Sequence, residues 1–248
     1  MAPSQQLPKN WPPHIPYLTT PTYCPTITPS HLKLLRTPPT DSLPIPPSHS
    51  KGPCPLVKIT PINDPSHPAN GQSGLFASRD LKAGTLILQY IGEVHGAIDM
   101  NGADERLRRE AKRHEESDYD LSLDREGGVG VDAQGRGNEA RFVNDFRGVL
   151  GGRVNAEFRE VWDGGRGERG MGVWVLGEKD GKGKGKKVGE GMGKGKGEGK
   201  GNGSAGGKWK GIRKGEEILV SYGRGFWGAR KGEDEWAETV DERETLEV

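Results

Sequence analysis

The sequence predicts a mostly β protein with short helices, in the α+β class, and three observations support this. Short apolar runs recur between glycine-rich or charged segments, as expected for many small strands. One segment alone has the composition of an exposed helix. Hydrophobic residues make up 31% of the 248 residues and aromatic residues 6%, so the packed core is expected to be modest.

Residues 1–55 are predicted to form a proline-rich disordered or extended leader. All 18 prolines lie between Pro3 and Pro68, whereas 39 of the 40 glycines lie at Gly71 or later, so the composition changes near residue 70. Proline fixes φ and lacks a backbone donor, so neither a helix nor a central strand is expected here. A docking segment for a proline-recognition module is the alternative to a flexible leader.

The predicted β domain spans residues 56–228. Residues 56–59 form a short β-type run, and residues 74–94 read as strand, turn and strand with a glycine break. Further strand candidates follow, each bounded by glycine or charge: residues 119–123, 130–132, 156–161, 173–176 and 217–222.

One helix is predicted over residues 104–116. This segment is rich in Arg, Glu, Lys and Ala and has no apolar stripe. Oppositely charged side chains at helical spacing can stabilise such a helix on the surface. A solvated helix is therefore favoured over a recognition surface.

Two segments are predicted to stay unpacked. Residues 177–211 form a Gly/Lys-rich tract with too little apolar content for a core, so we expect a flexible insertion. Residues 229–248 form an acidic tail that is expected to be disordered. Weak, nonspecific contact of the Gly/Lys tract with nucleic acid is the alternative to a solubilising filler.

The composition excludes several classes of protein. The two cysteines, Cys24 and Cys54, both lie in the proline-rich stretch, which rules out a disulfide-stapled scaffold and a four-thiolate zinc site. The six histidines show no metal-ligand spacing, so no metal is predicted. No apolar run is long enough for a membrane span or a signal peptide, so we expect an intracellular protein without a membrane partner.

Four separated blocks carry the functional signal. They are YIGEV at residues 90–94, GNEARFVNDFRG at 137–148, NAEF at 155–158 and IRKGEEILVSYG at 212–223. In this order they resemble the SET-domain protein lysine methyltransferases. Each block is weak alone, but four in order with plausible spacing make a strong signal. The cysteine-rich pre-SET and post-SET zinc modules of many members are missing.

The resemblance implies a SET-domain, β-clip-like fold of several small sheets with a threaded C-terminal segment. It also implies transfer of a methyl group from S-adenosylmethionine to the side-chain amine of a protein lysine, with a histone as a candidate substrate. A nuclear location would follow from a histone substrate. The cofactor carries the reactive group, and the protein supplies binding and orientation.

The resemblance also implies roles for individual residues. Tyr222 and Tyr119 are the catalytic candidates, and Phe226 and Trp227 are candidates for closing the substrate channel. The candidate cofactor-binding residues are Ser73, Gly74, Leu75, Arg141, Asn144, Asp145 and Tyr222.

Five of these residues have a structural alternative. Tyr222 is otherwise a tyrosine that caps the core at a strand end, and Asn144 a buried amide in a turn. Tyr119 is equally well a sheet residue, and Phe226 and Trp227 are equally well packing residues.

Four positions depart from the family pattern. Phe146 stands where a serine is expected. Gln72 stands where the first glycine of a G-x-G turn is expected, Asp145 where the histidine after the asparagine is expected, and Ser221 where the aspartate before the tyrosine is expected. These departures support an alternative function, a catalytically inactive SET fold that binds peptides or tethers to chromatin.

Overall fold

The computed structural model describes residues 6–40, 43–50, 52–177 and 211–223. These residues form two α-helices, one 3₁₀ helix and a series of short strands. The helices are α1 (Pro29–Leu35), α2 (Glu105–Glu115) and the 3₁₀ helix (Glu139–Phe142). The strands are β1 (Thr22–Tyr23), β2 (Leu43–Pro44), β3 (Val57–Pro61), β4 (Ser73–Ala77), β5 (Leu81–Lys82), β6 (Leu86–Tyr90), β7 (Glu93–Gly96), β8 (Asp120–Asp124), β9 (Val129–Asp132), β10 (Asn144–Asp145), β11 (Ala156–Asp163), β12 (Glu168–Val175), β13 (Gly211–Ile212) and β14 (Leu219–Val220).

The strands are distributed over several small sheets. One four-stranded sheet has the order β1-β7-β9-β8, and another has the order β2-β11-β12-β6. Three strand pairs, β3-β4, β5-β13 and β10-β14, complete the described sheets. The predicted fold class, mostly β with short helices in several small sheets, is confirmed.

The hairpin of β11 and β12 is the longest regular pairing in the described residues, with Ala156 opposite Val175 and Asp163 opposite Glu168. A hydrogen bond within the turn stabilises it, because Asp163 Oδ1 accepts from the backbone N–H of Gly165 at 3.0 Å. Asx side chains favour such turns because they can accept hydrogen bonds from backbone groups two or three residues on.

The core joins residues from most of these sheets. Leu75, Ile87, Val173 and Ile218 come from different strands or from the C-terminal segment, and all are completely buried in one apolar cluster. Burial of such side chains stabilises a fold by about 1.5–3 kcal/mol each. The many small sheets are therefore held together by a shared core.

The prediction of a disordered leader over residues 1–55 is wrong for the part of that segment that the structure describes. Trp11 is buried and packs edge-on against Tyr17, with ring centroids 5.0 Å apart, and against Phe142 at 5.8 Å. Strand β1 extends a sheet by pairing in parallel with β7. Apolar and aromatic residues lie between the prolines, and their packing orders this segment. The prediction relied on the number of prolines and did not take these residues into account.

Helix α1 also contradicts the prediction that no helix forms in this segment. Thr28 caps it, since its Oγ1 accepts from the backbone N–H of His31 at 3.3 Å, and Pro29 occupies the first helical position. Proline is tolerated there because the first backbone N–H groups of a helix have no intrahelical partner. Leu35 at the end of the helix is buried in the core.

Helix α2 agrees with the predicted helix in position and differs in burial. Asp104 caps it by accepting from the backbone N–H of Leu107 at 2.8 Å, and Lys112 pairs with Glu116 on the exposed face. His114 on the opposite face is almost completely buried. The helix is therefore solvated on one side only.

Two predicted segments lie outside the described residues. These are most of the Gly/Lys-rich insertion of residues 177–211, of which residues 178–210 are not described, and the acidic tail of residues 229–248. In the part of the chain that the structure describes, no helix combines the length and the apolar character that crossing a membrane requires.

Candidate functional site

The C-terminal segment brings the two strongest sequence blocks together. Strand β14 pairs in parallel with β10, which places Leu219 beside Asn144 and Val220 beside Asp145. The side chain of Asn155 ties the same segment from the other side, because its amide donates to the Glu217 carbonyl at 2.7 Å. Residues far apart in the sequence therefore form one site.

Tyr222 follows β14 and is fixed at both ends. Its hydroxyl donates to the carbonyl oxygen of Val143 at 2.7 Å, and its backbone N–H donates to Asp145 Oδ2 at 2.7 Å. Burial raises the pKa of Tyr222 well above the usual value, and the nearby Tyr119 and Asp145 raise it further. The hydroxyl is therefore neutral, and it can both donate and accept hydrogen bonds.

Asp145, predicted to bind cofactor, holds the protein around Tyr222 in place. Besides the Tyr222 N–H, its carboxylate accepts from the backbone N–H of Arg147 at 2.8 Å and from Arg147 Nη1 at 2.7 Å. The Arg147 guanidinium also reaches Ser221 Oγ, at 3.4 Å. Two departures from the family pattern thus belong to one ion-paired clamp that fixes the tyrosine.

Asn144 lies in a polar chain with Glu217 and His67. Its Nδ2 donates to Glu217 Oε1 at 2.8 Å, and the other carboxylate oxygen is 3.0 Å from His67 Nε2. His67 Nδ1 accepts from the backbone N–H of Ala69 at 3.0 Å, so the neutral ring carries its proton on Nε2 and donates it to Glu217. These hydrogen bonds connect β10 and the C-terminal segment to the loop before β4.

Three residues of β4, Ser73, Gly74 and Leu75, are predicted to bind the cofactor, and one of them lines the cavity of about 500 Å³ that lies beside Asn144 and His67. Ser73 is on the cavity wall, whereas Leu75 is completely buried in the core. Gly74 does not line this cavity. A Cβ at this position would lie 2.6 Å from Glu217 Oε1 and 3.0 Å from a side-chain carbon of Phe76. The glycine makes room for the Glu217 side chain.

Arg141 and Tyr119 form a stacked pair. The Arg141 guanidinium lies 4.5 Å from the centre of the Tyr119 ring, and its Nε donates to the carbonyl of Ala133 at 3.0 Å. Tyr90 supports Tyr119 from the core, since its hydroxyl donates to the Tyr119 carbonyl at 2.7 Å. The planar cation and the aromatic ring are thus held in one orientation.

Two cavities meet at these side chains. The first has a volume of about 500 Å³ and is lined by His67, Gln72, Ser73, Asn144 and Asp145 among others. The second, of about 360 Å³, lies against Tyr90, Phe158 and Met171, with Asp120 and other residues of β8 on its wall. The walls common to both cavities are Asp118, Tyr119, Arg141 and Tyr222.

Sequence reasoning missed several residues of this site. His67, Asp118 and Arg147 line the first cavity, and Glu217 holds Asn144 in position. Glu217 lies within a matched block and was a findable candidate. Arg147 also lies within a matched block, at residues 137–148, whereas His67 and Asp118 lie outside the four blocks and are brought to the cavity by the fold of the chain. The predicted channel residues Phe226 and Trp227 lie outside the described residues.

No protein-family model matches this chain. Histone-lysine N-methyltransferase ASHH3 of Arabidopsis thaliana is 35% identical over 72 residues, which are 29% of this chain and 18% of that protein. The resemblance to the SET-domain lysine methyltransferases is confirmed.

Solved structures similar to this chain include the polycomb repressive complex 2 of Chaetomium thermophilum. One match covers 70% of this chain and 16% of that one, at 21% identity and a TM-score of 0.42. A second, bound to S-adenosylmethionine, covers 70% and 16% at 20% identity and a TM-score of 0.41. The chain spans less than a fifth of the length of the curated relative.

Proposed function

We propose that this protein transfers a methyl group from S-adenosylmethionine to the side-chain amine of a lysine in another protein, with a histone as the candidate substrate. The observation that carries the proposal is the pair of cavities that share a wall at Tyr222. Transfer between two bound molecules requires separate pockets that open toward each other, since the reacting atoms must meet in line. A histone substrate implies a nuclear location.

The first cavity is the proposed cofactor site, and its residues suit S-adenosylmethionine. Its volume of about 500 Å³ falls in the range of small-molecule sites. Asn144 donates through Nδ2 to Glu217, which leaves Oδ1 to accept from the cofactor's ammonium group. Arg147 and Ser73 on the same wall offer donors to a carboxylate. When bound, S-adenosylmethionine supplies an electrophilic methyl group on its sulfonium sulfur.

The second cavity is the proposed lysine site. Tyr90, Phe158 and Met171 give it an apolar wall that suits the aliphatic stem of a lysine. An amine attacks only as the neutral base, and an environment poor in water lowers the pKa of a lysine. Asp118 and Asp120 on the wall of this cavity add negative charge that suits a basic peptide.

Tyr222 is the proposed catalytic residue where the cavities meet, and Tyr119 shares that wall. Because burial keeps the Tyr222 hydroxyl neutral, its oxygen can accept from the lysine amine and align the nitrogen lone pair. Arg141 holds the Tyr119 ring in place across the wall.

The test is transfer of a radiolabelled methyl group to core histones and to an array of lysine peptides. Tyr222→Phe is expected to lower the rate by about 100-fold or more, as removal of one positioned hydrogen-bonding group commonly does. Tyr23→Phe is the matched control, because Tyr23 is exposed and lines neither cavity. Equal labelling by the native protein and Tyr222→Phe would remove Tyr222 from the mechanism. No labelling by the native protein, together with peptide binding, would favour the inactive SET fold.

A further inference from the structure

A second cluster of chemically matched side chains lies outside the two cavities. Cys24 directly follows β1, Glu93 begins β7, and Glu110 and His114 occupy one face of α2 at i,i+4 spacing. One ligand atom of each, the Cys24 sulfur, a carboxylate oxygen of each glutamate and a ring nitrogen of His114, lies within 4.8 Å of every other. Three elements of the fold thus converge on one point.

The two strongest donors in this cluster are buried and oriented. Cys24 is 2% exposed and His114 1%. His114 Nδ1 donates to Asp132 Oδ2 at 2.8 Å, and Asp132 also accepts from Ser117 Oγ at 2.8 Å. A carboxylate in this position fixes the histidine tautomer, so the lone pair of Nε2 points into the cluster.

The cluster already attracts a cationic group. Nη2 of Arg113 contacts Glu93, lies 2.8 Å from Glu110 Oε2 and lies 3.1 Å from His114 Nε2. The sulfur of Cys24 makes no side-chain hydrogen bond within the described part of the chain, although it is buried beside these groups. The Arg113 guanidinium balances part of the charge of the two carboxylates. It does not explain why a thiol without a hydrogen-bond partner is buried beside them.

We propose that Cys24, Glu93, Glu110 and His114 bind one Zn²⁺ ion, and that Arg113 swings into solvent when the ion enters. Thiolate and imidazole together select zinc over magnesium or calcium, which prefer oxygen ligands. Zinc bonds of about 2.0–2.3 Å place tetrahedral ligands about 3.3–3.8 Å apart, so the cluster needs a contraction of about 1 Å. The glutamate side chains are long enough to supply it.

Charge balance supports this exchange. Two carboxylates and one guanidinium leave the metal-free cluster with one negative charge. Binding removes the proton of the Cys24 thiol, which passes to solvent, and the thiolate with a divalent ion in place of Arg113 gives the same formal charge. The Arg113 side chain is 39% exposed, so its departure needs no opening of the core.

The zinc site is structural, because its ligands join the described N-terminal strand β1 to the sheet and to α2. It stands apart from methyl transfer, since none of the four ligands lines either cavity. Metal binding therefore has a readout that does not depend on the activity of the enzyme.

The experiment uses the full chain, stripped with a chelator and titrated with Co²⁺ as a spectroscopic substitute for zinc. One equivalent is expected to give thiolate-to-cobalt charge-transfer absorption and the intense visible bands of tetrahedral cobalt, and Zn²⁺ should remove both. Cys24→Ser should abolish the charge-transfer band and weaken binding at least 100-fold. Cys54→Ser is the matched control, a buried cysteine outside the cluster, and it should leave the spectrum unchanged.

Arg113→Gln distinguishes the zinc site from a permanent ion pair. Removal of the competing guanidinium should tighten metal binding by about 10-fold or more, whereas a purely structural role for Arg113 predicts lower stability without tighter binding. The proposal is overturned by a native chain without a charge-transfer band, by a band that survives Cys24→Ser, or by an Arg113→Gln variant that binds metal no more tightly.

Discussion

Glu217 illustrates how much of this site depends on single residues. Its two carboxylate oxygens hold Asn144 on one side and His67 on the other, and it is enclosed by β4 at Gly74. A carboxylate with two partners in a confined space positions the amide without contacting the proposed cofactor. Glu217 was passed over although it lies within the block at residues 212–223, because its role is to orient other side chains.

Gly74→Ala tests this confinement. A Cβ at this position lies 2.6 Å from Glu217 Oε1 and 3.0 Å from Ile62 Cδ1, so the carboxylate must move away from Asn144. Overpacking of this kind costs about 1–3 kcal/mol of the free energy of unfolding. Chemical denaturation and titration with S-adenosylmethionine should show lower stability and weaker cofactor binding together.

Gly135→Ala is the matched control for this substitution, because a Cβ added to Gly135 would meet no atom within 4 Å. It should change the free energy of unfolding by less than about 0.5 kcal/mol. A Gly74→Ala variant that is as stable as Gly135→Ala, with unaltered cofactor binding, would show that Glu217 does not need its present position.

The ionisation of Tyr222 gives a second prediction for single residues. Burial raises its pKa, so the neutral hydroxyl persists as the pH rises through about 10, where an exposed tyrosine ionises. The native chain and Tyr222→Phe should therefore show the same tyrosinate absorbance up to that pH in an ultraviolet titration. A deficit in Tyr222→Phe near pH 10 would mean that Tyr222 ionises normally and that its site is wet.

At the scale of elements, the described N-terminal segment is part of the folded domain. Trp11 packs on Tyr17 and Phe142, and the last of these residues ends the 3₁₀ helix that leads into β10. The segment thus supports the element that carries Asn144. A hydrogen bond reinforces this packing, because the Tyr17 hydroxyl donates to Glu139 Oε2 in the same 3₁₀ helix at 3.0 Å.

Trp11→Ala should destabilise the protein by about 3–5 kcal/mol, because it leaves a large cavity and removes two aromatic contacts. Leu7→Ala, at a position 52% exposed, serves as the control and should be close to neutral. Urea unfolding measures both. If the free energy of unfolding of Trp11→Ala lies within about 1 kcal/mol of the native value, the leader does not contribute to the stability of the core.

At the scale of the whole molecule, the site is assembled by a short C-terminal segment that crosses several sheets. Residues 211–223 pair with β5 through β13 and with β10 through β14, and Glu217 bridges to Phe76 in β4. Each strand pair is short, so the segment is held mainly by its buried residues Ile212, Ile218 and Val220. Ligand binding next to it should therefore stabilise the entire domain.

Addition of S-adenosylmethionine at 100 times its Kd should raise the free energy of unfolding by about 2.7 kcal/mol. For a chain of this size that corresponds to a rise in Tm of about 5–10 °C, at about 2–4 °C per kcal/mol. Differential scanning fluorimetry measures it, with ATP as the control nucleotide. An equal rise with ATP, or none with S-adenosylmethionine at saturating concentrations, would contradict the cofactor assignment.

The amino-acid sequence determined the strand-rich class, the order of the four motif blocks, and the candidates Asn144 and Tyr222, because strand patterning and motif spacing are local along the chain. The sequence did not reveal that the leader is ordered, because Phe142, which packs on Trp11, and Glu139, which accepts from Tyr17, lie more than a hundred residues away. The hydrogen bond from Tyr222 to Asp145, the hydrogen bonds of Glu217 with Asn144 and His67, and the cluster of Cys24, Glu93, Glu110 and His114 likewise arise from contacts between distant segments. Only the tertiary structure decides such contacts, because the burial and the distances that give them their chemistry exist only after the sheets have packed.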